Sequence, residues 1–506
     1  MYHENYLGEA LRAASLGADQ SLFLQNHQTD DAVTYQAFFA NAERMAQVLV
    51  ETGVVPGDRV AVQAPKTVAM LELYVATVLA GGVFLPLNPA YTASEITYFL
   101  TDAEPLILVC DPTREDELSP VAKQAGVSEV LTIGANESGT LVERRDAVVS
   151  GFTAVKRGPD DLAAILYTSG TTGRSKGAML THRALASNAQ ILKDVWQFNA
   201  DDVLIHALPI FHTHGLFVAT NVTLMAGSSC IFMAEFDADD ILDNMPKATV
   251  LMGVPTFYVR LLEADGLSKA SAAMRLFVSG SAPLLAETHD RWRAVTGHAI
   301  LERYGMTETN MNTSNPYEGD RRAGTVGFPL PGVELLVTDP VTGAPIQKGE
   351  IGVLEVRGAN VFAGYWKMPK KTAKELRDNG FFITGDLGRV DEDGYIHIVG
   401  RQKDLIISGG YNIYPKEIEL LIDDLAGVVE SAVIGVPHPD FGEAVVAVIV
   451  AQDGADITAQ DILTGIKENL ARFKHPKHIA FVKALPRNAM GKVQKKALRE
   501  EYDKAF

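Results

Sequence analysis

The chain has 506 residues and a formal charge of −18, too long for one simple domain and too acidic for broad binding to nucleic acid. Hydrophobic residues make up 47% of it, which is ordinary for a globular protein and enough for a large core. Two cysteines, Cys110 and Cys230, exclude a disulfide framework and a cysteine-rich metal site.

The first residues, Met1-Tyr-His-Glu-Asn-Tyr6, carry neither the basic nor the apolar region of a signal peptide. The longest apolar stretch, residues 68–87, is interrupted by Glu72, Gly81, Gly82 and Pro86, which argues against a membrane span. A cytoplasmic protein is expected. Phe38, Ala42, Met45 and Leu49 fall on one face of a helix over 34–53, with Thr34 as its cap and Gly53 as its stop. A strand at 60–62, a helix at 67–80, a strand at 82–85, a helix at 93–101 and a strand ending at Cys110 follow. Such alternation predicts an α/β fold of helix-covered parallel sheets. It continues with strands at 162–166, 202–208, 250–254 and 276–280, the third of these followed by a helix and the second by a tight connection at 209–215. From about residue 320 to 400 short β runs rich in Gly and Pro predict a small β-rich subdomain. A boundary near Gly400-Arg401-Gln-Lys403-Asp404 leaves about a hundred residues, enough for a core of their own. There, strands are expected at 428–436 and 445–450 and helices at 415–424 and 459–471. The division is residues 1–400 and 401–506.

Chemistry concentrates first at Tyr167-Thr-Ser-Gly170-Thr-Thr-Gly173-Arg-Ser-Lys176-Gly177. Glycines let a backbone turn with its N–H groups aligned, and such nests, with hydroxyls and a lysine, hold phosphate. A flexible linker is the plainer reading. A Walker A loop is excluded, because it ends in Gly-Lys-Ser/Thr and Lys176 stands between Ser175 and Gly177. Three more motifs follow: Glu302-Arg-Tyr-Gly305-Met-Thr307-Glu308, then Thr384-Gly385-Asp386 with Gly400-Arg401, then Pro486-Arg-Asn-Ala-Met-Gly491-Lys492. Taken singly, each reads as a solvated turn. Mg²⁺ favours one or two carboxylates plus substrate phosphates, a carboxylate can accept from two ribose hydroxyls, and a cation can offset charge on a reacting phosphate.

Together, in this order and spread over most of the chain, the motifs resemble those of the adenylate-forming superfamily of acyl-CoA synthetases, peptide-synthetase adenylation domains and luciferases. The resemblance implies that a carboxylate attacks ATP to give acyl-AMP and pyrophosphate, and that coenzyme A then displaces AMP. It assigns nucleotide binding to Thr168, Ser169, Gly170, Thr171, Thr172, Gly173 and Lys176, to Ser281, Ala282 and Pro283, to Glu302, Arg303, Tyr304, Gly305, Met306 and Thr307, and to Asp386 and Arg401. It makes Lys492 the main catalytic residue, beside Thr307 and the Mg²⁺ ligand Glu308. It implies a mobile α+β C-terminal domain hinged at Lys403, which withdraws Lys492 and brings in Ser408, Gly409, Gly410 and Tyr411 to line a coenzyme A tunnel. A simple turn at the two glycines is the alternative. Lys492, a lone lysine in a glycine turn, is also a target for a lysine acetyltransferase, since acetylation removes its charge.

For the acid, Arg260 in Val254-Pro-Thr-Phe-Tyr-Val-Arg260 is either an ordinary exposed helix residue or a fork for a second carboxylate. His212-Thr-His-Gly215, Ser279-Gly-Ser-Ala-Pro283 and Thr307-Glu-Thr-Asn-Met-Asn-Thr-Ser314 make the chain similar to malonyl-CoA synthetases, which activate malonate and often methylmalonate. That likeness assigns Arg260 and Ser281 to the distal carboxylate, Thr213 and Met311 to the walls near the α-carbon, and His212 to the acyl gate, with a core histidine as its alternative. A CoA ligase for another short or medium acid is the second functional reading. No nucleic-acid or membrane partner is expected.

Overall fold

The computed structural model describes residues 4–149, 151–168, 175–340, 342–408, 411–488 and 491–506. Seven strands form one sheet, in the order Gly364–Tyr365, Lys176–Thr181, Leu162–Thr168, Val83–Pro86, Arg59–Gln63, Ile107–Cys110 and Glu129–Thr132. The last five are parallel, which requires crossovers between them. Two of these are the helices Val68–Leu79 and Ala93–Ala103, the first capped by Thr67 through Met70 N–H and buried along its whole length. Thr34 caps Tyr35–Glu51 in the same way. Cys110 is fully buried in this layer and its thiol pKa is pushed up to about 12 by burial.

A second sheet of nine strands runs Phe328–Pro329, Asn310–Ser314, Leu301–Met306, Leu276–Ser279, Val250–Gly253, Val203–His206, Ser229–Phe232, Leu22–Asn26 and Ala32–Thr34. Its central strands are parallel, apolar and buried, as sheets covered on both faces are. Ligands of such sheets collect beyond the carboxyl ends of the strands. Here those ends are His206, Gly253, Ser279 and Met306.

The β-rich region is a four-stranded antiparallel sheet of Glu334–Thr338, Gly352–Arg357, Phe382–Val390 and Ile396–Arg401. Beyond it, Ile406–Ser408, Tyr411–Ile413, Val428–His438, Gly442–Ala451 and His478–Phe481 make a further sheet with its own two apolar clusters.

Three local features depart from the sequence reading. The strand before the glycine stretch has an antiparallel partner after it, with Thr168 opposite Lys176. The helix expected over 459–471 ends at Ile466. Gly465, a weak helix former, lies in its last turn, where a Cβ would meet Leu425 at 2.5 Å. Past the turn at 209–212 the chain does not stay a simple connection but winds into a π-helical stretch, His214–Thr220, a geometry common at functional sites. Gly215 permits it, since a Cβ there would stand 2.2 Å from the Pro209 carbonyl.

Candidate active site

The segments leaving the carboxyl ends of the nine-stranded sheet meet one another. Glu302 to Met306 leads into a tight turn, Thr307 to Thr309, and back along Asn310–Ser314. Gly305 is required there, because a Cβ would lie 2.0 Å from the Asn310 carbonyl. Met311 is buried with its Cε against the same glycine. Two neighbours from the segment after Arg357 pin the turn: Phe362 N–H donates to the Glu308 carbonyl at 2.8 Å, and Asn360 Nδ2 to the Thr309 carbonyl at 2.7 Å. Glu308 is thus 5% exposed, and its Oε1 accepts from the Tyr365 hydroxyl at 2.9 Å.

Arg303 lies on the same strand, Leu301–Met306. Its guanidinium lies over Gly280, where a Cβ would sit 2.4 Å away, so any larger residue there would have to displace it. It is 4% exposed, and Nε and Nη2 have no partner among the described residues. Burial pushes its pKa down to about 9. Around it stand His212, His214 and Tyr258. Burial first, then Lys492 and Arg303, push His212 down to about 3, so it is neutral at physiological pH. His214 is lowered well below the usual range by burial and Arg303. Its Nδ1 lies 3.3 Å from Ser281 Oγ, and among the described residues neither its Nε2 nor the buried Thr213 Oγ1 has a partner. Ser281 has φ of +72°, a strained conformation for a non-glycine that clusters at functional sites.

A second cluster is assembled by register. Asp386 and Arg401 pair across Phe382–Val390 and Ile396–Arg401, which sets Arg401 Nε 2.6 Å from Asp386 Oδ1. The Tyr304 hydroxyl donates to Asp386 Oδ2 at 2.5 Å, and burial together with that carboxylate raises the phenol pKa. Lys176 Nζ donates to the Tyr365 hydroxyl at 3.1 Å and lies 3.7 Å from Glu375. Ser169, Gly170, Thr171, Thr172 and Gly173 lie outside the described residues. The strand end at Thr168 and the return at Lys176 frame them, and Tyr98 donates to the Ser175 carbonyl at 2.6 Å.

Lys492 comes from the other side. Its turn is closed by Lys492 N–H to Asn488 Oδ1 at 3.0 Å, and Gly491 faces Thr256, with a 3.6 Å approach for a Cβ. Lys492 is exposed to solvent, with charged groups of four other residues around it. Its pKa is lowered by burial first and then by Arg401, with Asp386 and Glu308 pulling the other way and Arg303 lowering it again. Cation, carboxylates and guanidinium groups from four distant stretches therefore share one cleft.

Other expected residues lie outside this cluster or at its rim. Glu302 is buried, but its carboxyl accepts from Gly324 N–H at 3.3 Å, and burial raises its pKa to about 8. Folded Glu302 thus keeps a proton that the unfolded chain releases, so stability falls as pH rises from about 4.5 towards 8. Glu302→Gln is expected to raise the unfolding midpoint by several degrees at about pH 8.5 and to change it little at about pH 5. Thermal melts at the two pH values check this, and an equal shift at both would contradict it. Arg260 is exposed in the last turn of Pro255–Leu262, its guanidinium 5.7 Å from the Phe236 ring centre. It shares a helix face with Thr256, which touches the Lys492 turn. Tyr411 is 59% exposed and packs at a tilt against Phe473 with ring centres 4.6 Å apart, while Ser408 is buried and Gly409 and Gly410 lie outside the described residues. Lys403 is exposed, between Arg401 and an Asp404 that pairs with Arg499 at 2.5 Å. Sequence reasoning missed His214 as the partner of Ser281 and Tyr365 as the partner of Glu308. The first was visible in the His-Thr-His run, while nothing in Gly364-Tyr365 marks the second.

Models of two families match, the AMP-binding enzyme over residues 12–366 and the AMP-binding enzyme C-terminal domain over 417–492. A malonate–CoA ligase of Arabidopsis thaliana is 34% identical over 89% of this chain and 79% of its own. ATP-bound MatB from Rhodopseudomonas palustris is 58% identical, covers 99% of both chains and superposes with a TM-score of 0.97. The apo form of MatB, at the same identity and coverage, gives 0.87. The whole chain is therefore nearer to the ATP-bound form.

Proposed function

This chain belongs to the family of AMP-binding enzymes, and from that premise we propose that it is a malonate–CoA ligase. The observation that carries the choice of acid is Arg303, a buried guanidinium with two nitrogens unpartnered among the described residues, in the same cleft as Lys492. An unpaired buried cation is costly, and a substrate's second carboxylate offsets that cost. Arg303 moves in this reading from the nucleotide to the acid, joined by Ser281 and, at the rim, Arg260. Thr213 and Met311 border the α-carbon, where the methyl of methylmalonate would lie.

One carboxylate oxygen of malonate attacks the α-phosphorus of ATP, and the bond to the pyrophosphate oxygen breaks. The thiolate of coenzyme A then attacks the acyl carbon, and AMP leaves with the bridging oxygen. Lys492 offsets negative charge at the α-phosphate, with Thr307 beside it, while Asp386 and Arg401 hold the ribose. Mg²⁺ supplies charge neutralisation to the phosphates. Glu308 suits it as a buried carboxylate with one oxygen free of side-chain donors among the described residues. Residues 401–506 act as the mobile domain, turning at Lys403 to exchange Lys492 for Ser408 to Tyr411. Acetylation of Lys492 by a lysine acetyltransferase would block the first step only. A reducing, cytoplasmic setting suits the buried thiols of Cys110 and Cys230.

The test is pyrophosphate release by the wild-type enzyme across malonate, methylmalonate, succinate, butyrate and octanoate. Malonate or methylmalonate is expected to lead, and a lead by octanoate would overturn the reading in favour of a fatty-acyl ligase. Arg260→Leu adds a finer expectation. Its charge is exposed and screened, so the malonate-to-butyrate ratio of kcat/KM should fall about tenfold. An unchanged ratio removes Arg260 from the acid site and leaves Arg303.

A further inference from the structure

We propose that Tyr365 is a positioning residue that aims the carboxylate of Glu308 at the metal-binding point and ties it to Lys176 at the base of the phosphate hairpin. The inference rests on the reading of Glu308 as the Mg²⁺ ligand and goes beyond it, since no motif marked Tyr365.

The geometry is a relay through one oxygen. The Tyr365 hydroxyl donates to Glu308 Oε1 at 2.9 Å and accepts from Lys176 Nζ at 3.1 Å. The lysine ammonium also lies over the tyrosine ring, 4.2 Å from its centre. Among the described residues the hydroxyl is the only side-chain donor to Glu308.

The ring cannot swing away. It is 2% exposed and packs edge-on against Phe362 at 4.8 Å. Its backbone is fixed by pairing of Gly364–Tyr365 with Lys176–Thr181 and by Tyr365 N–H to Thr372 Oγ1 at 2.9 Å. Gly364 has φ of +128° and would crowd Thr372 at 2.6 Å with any Cβ, so the bend before Tyr365 demands glycine. The same segment holds the backbone of Glu308 through Phe362 N–H. One short stretch thus fixes both the main chain and the side chain of the acid, and links it to the hairpin carrying Lys176. Held this way, the carboxylate need not be ordered when metal and phosphates bind.

The experiment measures Mn²⁺ binding by electron paramagnetic resonance, with a non-hydrolysable ATP analogue and the full chain. Wild type, Tyr365→Phe, Glu308→Gln and the double variant form a cycle. Tyr365→Phe keeps the ring and is expected to weaken Mn²⁺ about tenfold in the wild-type background and less than about twofold beside Glu308→Gln. Equal losses in both backgrounds would make Tyr365 a merely structural residue and overturn the proposal, as would no loss in the wild-type background. Glu308→Asp keeps the charge but withdraws it from the hydroxyl, and carries the test if the phenylalanine variant does not fold. It should bind Mn²⁺ at least about tenfold more weakly, and wild-type affinity would overturn the proposal. If Glu308→Gln itself leaves Mn²⁺ binding unchanged, the assignment of Glu308 as metal ligand fails, and this inference with it.

Discussion

Lys492→Ala is expected to lose adenylation by about three orders of magnitude, roughly 4 kcal/mol of transition-state stabilisation, while keeping thioester formation from supplied malonyl-AMP. The first half follows from place and charge. The amine shares the cleft with Arg401, Asp386, Glu308 and Arg303, where an attacking carboxylate and a triphosphate bring negative charge together. Burial and the two guanidinium groups lower its pKa, whereas an arriving triphosphate acts in the opposite direction. The second half follows from the chain. Lys492 lies beyond Lys403, the proposed hinge, in a sheet region with its own apolar clusters, so a turn of that region would withdraw it before the thiol arrives. Pyrophosphate release and thioester formation are measured separately. Equal losses in both would contradict the exchange of loops between the two steps.

The second large effect is expected at Arg303. Arg303→Leu should lower kcat/KM for malonate by about 100-fold or more, corresponding to roughly 3 kcal/mol of charge-assisted bonding. Butyrate, which lacks a distal charge, should change less than about fivefold or improve. Stability should move the other way. The folded-state pKa is depressed, so the charged form is disfavoured by folding, and that penalty is fully present below about pH 9. Removing the guanidinium therefore raises the unfolding midpoint of the ligand-free protein at neutral pH, a trade of function against stability seen at many active sites. Gly280→Ala is the companion variant, because its methyl group would drive the guanidinium from its place. A malonate-to-butyrate ratio unchanged by Arg303→Leu would place the distal carboxylate elsewhere.

Local signals made the layers legible. Thr34 and Thr67 cap helices as their side-chain chemistry predicts, and the apolar runs ending at Cys110, Gly253 and Ser279 are buried parallel strands. Motifs named Glu308, Asp386, Arg401 and Lys492, which the fold gathers from stretches up to 184 positions apart (492 less 308). Less legible were roles set by alternation and register. Along Leu301–Met306 one residue's shift in facing separates Glu302, held by Gly324, from Arg303, held over Gly280. The π-helical path of His214–Thr220 depends on tertiary packing of Gly215 against Pro209, which no periodicity announces. Resemblance gave Arg260 to the acid and Arg303 to the nucleotide, and the burial of Arg303 beside an exposed Arg260 is what reverses that preference.

The most direct test of adenylation follows an oxygen atom. Malonate labelled with ¹⁸O in its carboxylates is converted with ATP and coenzyme A, and the products are weighed by mass spectrometry. Attack on the α-phosphorus predicts one labelled oxygen in AMP and none in pyrophosphate. Labelled orthophosphate accompanied by ADP would mean attack on the terminal phosphate and would contradict the account.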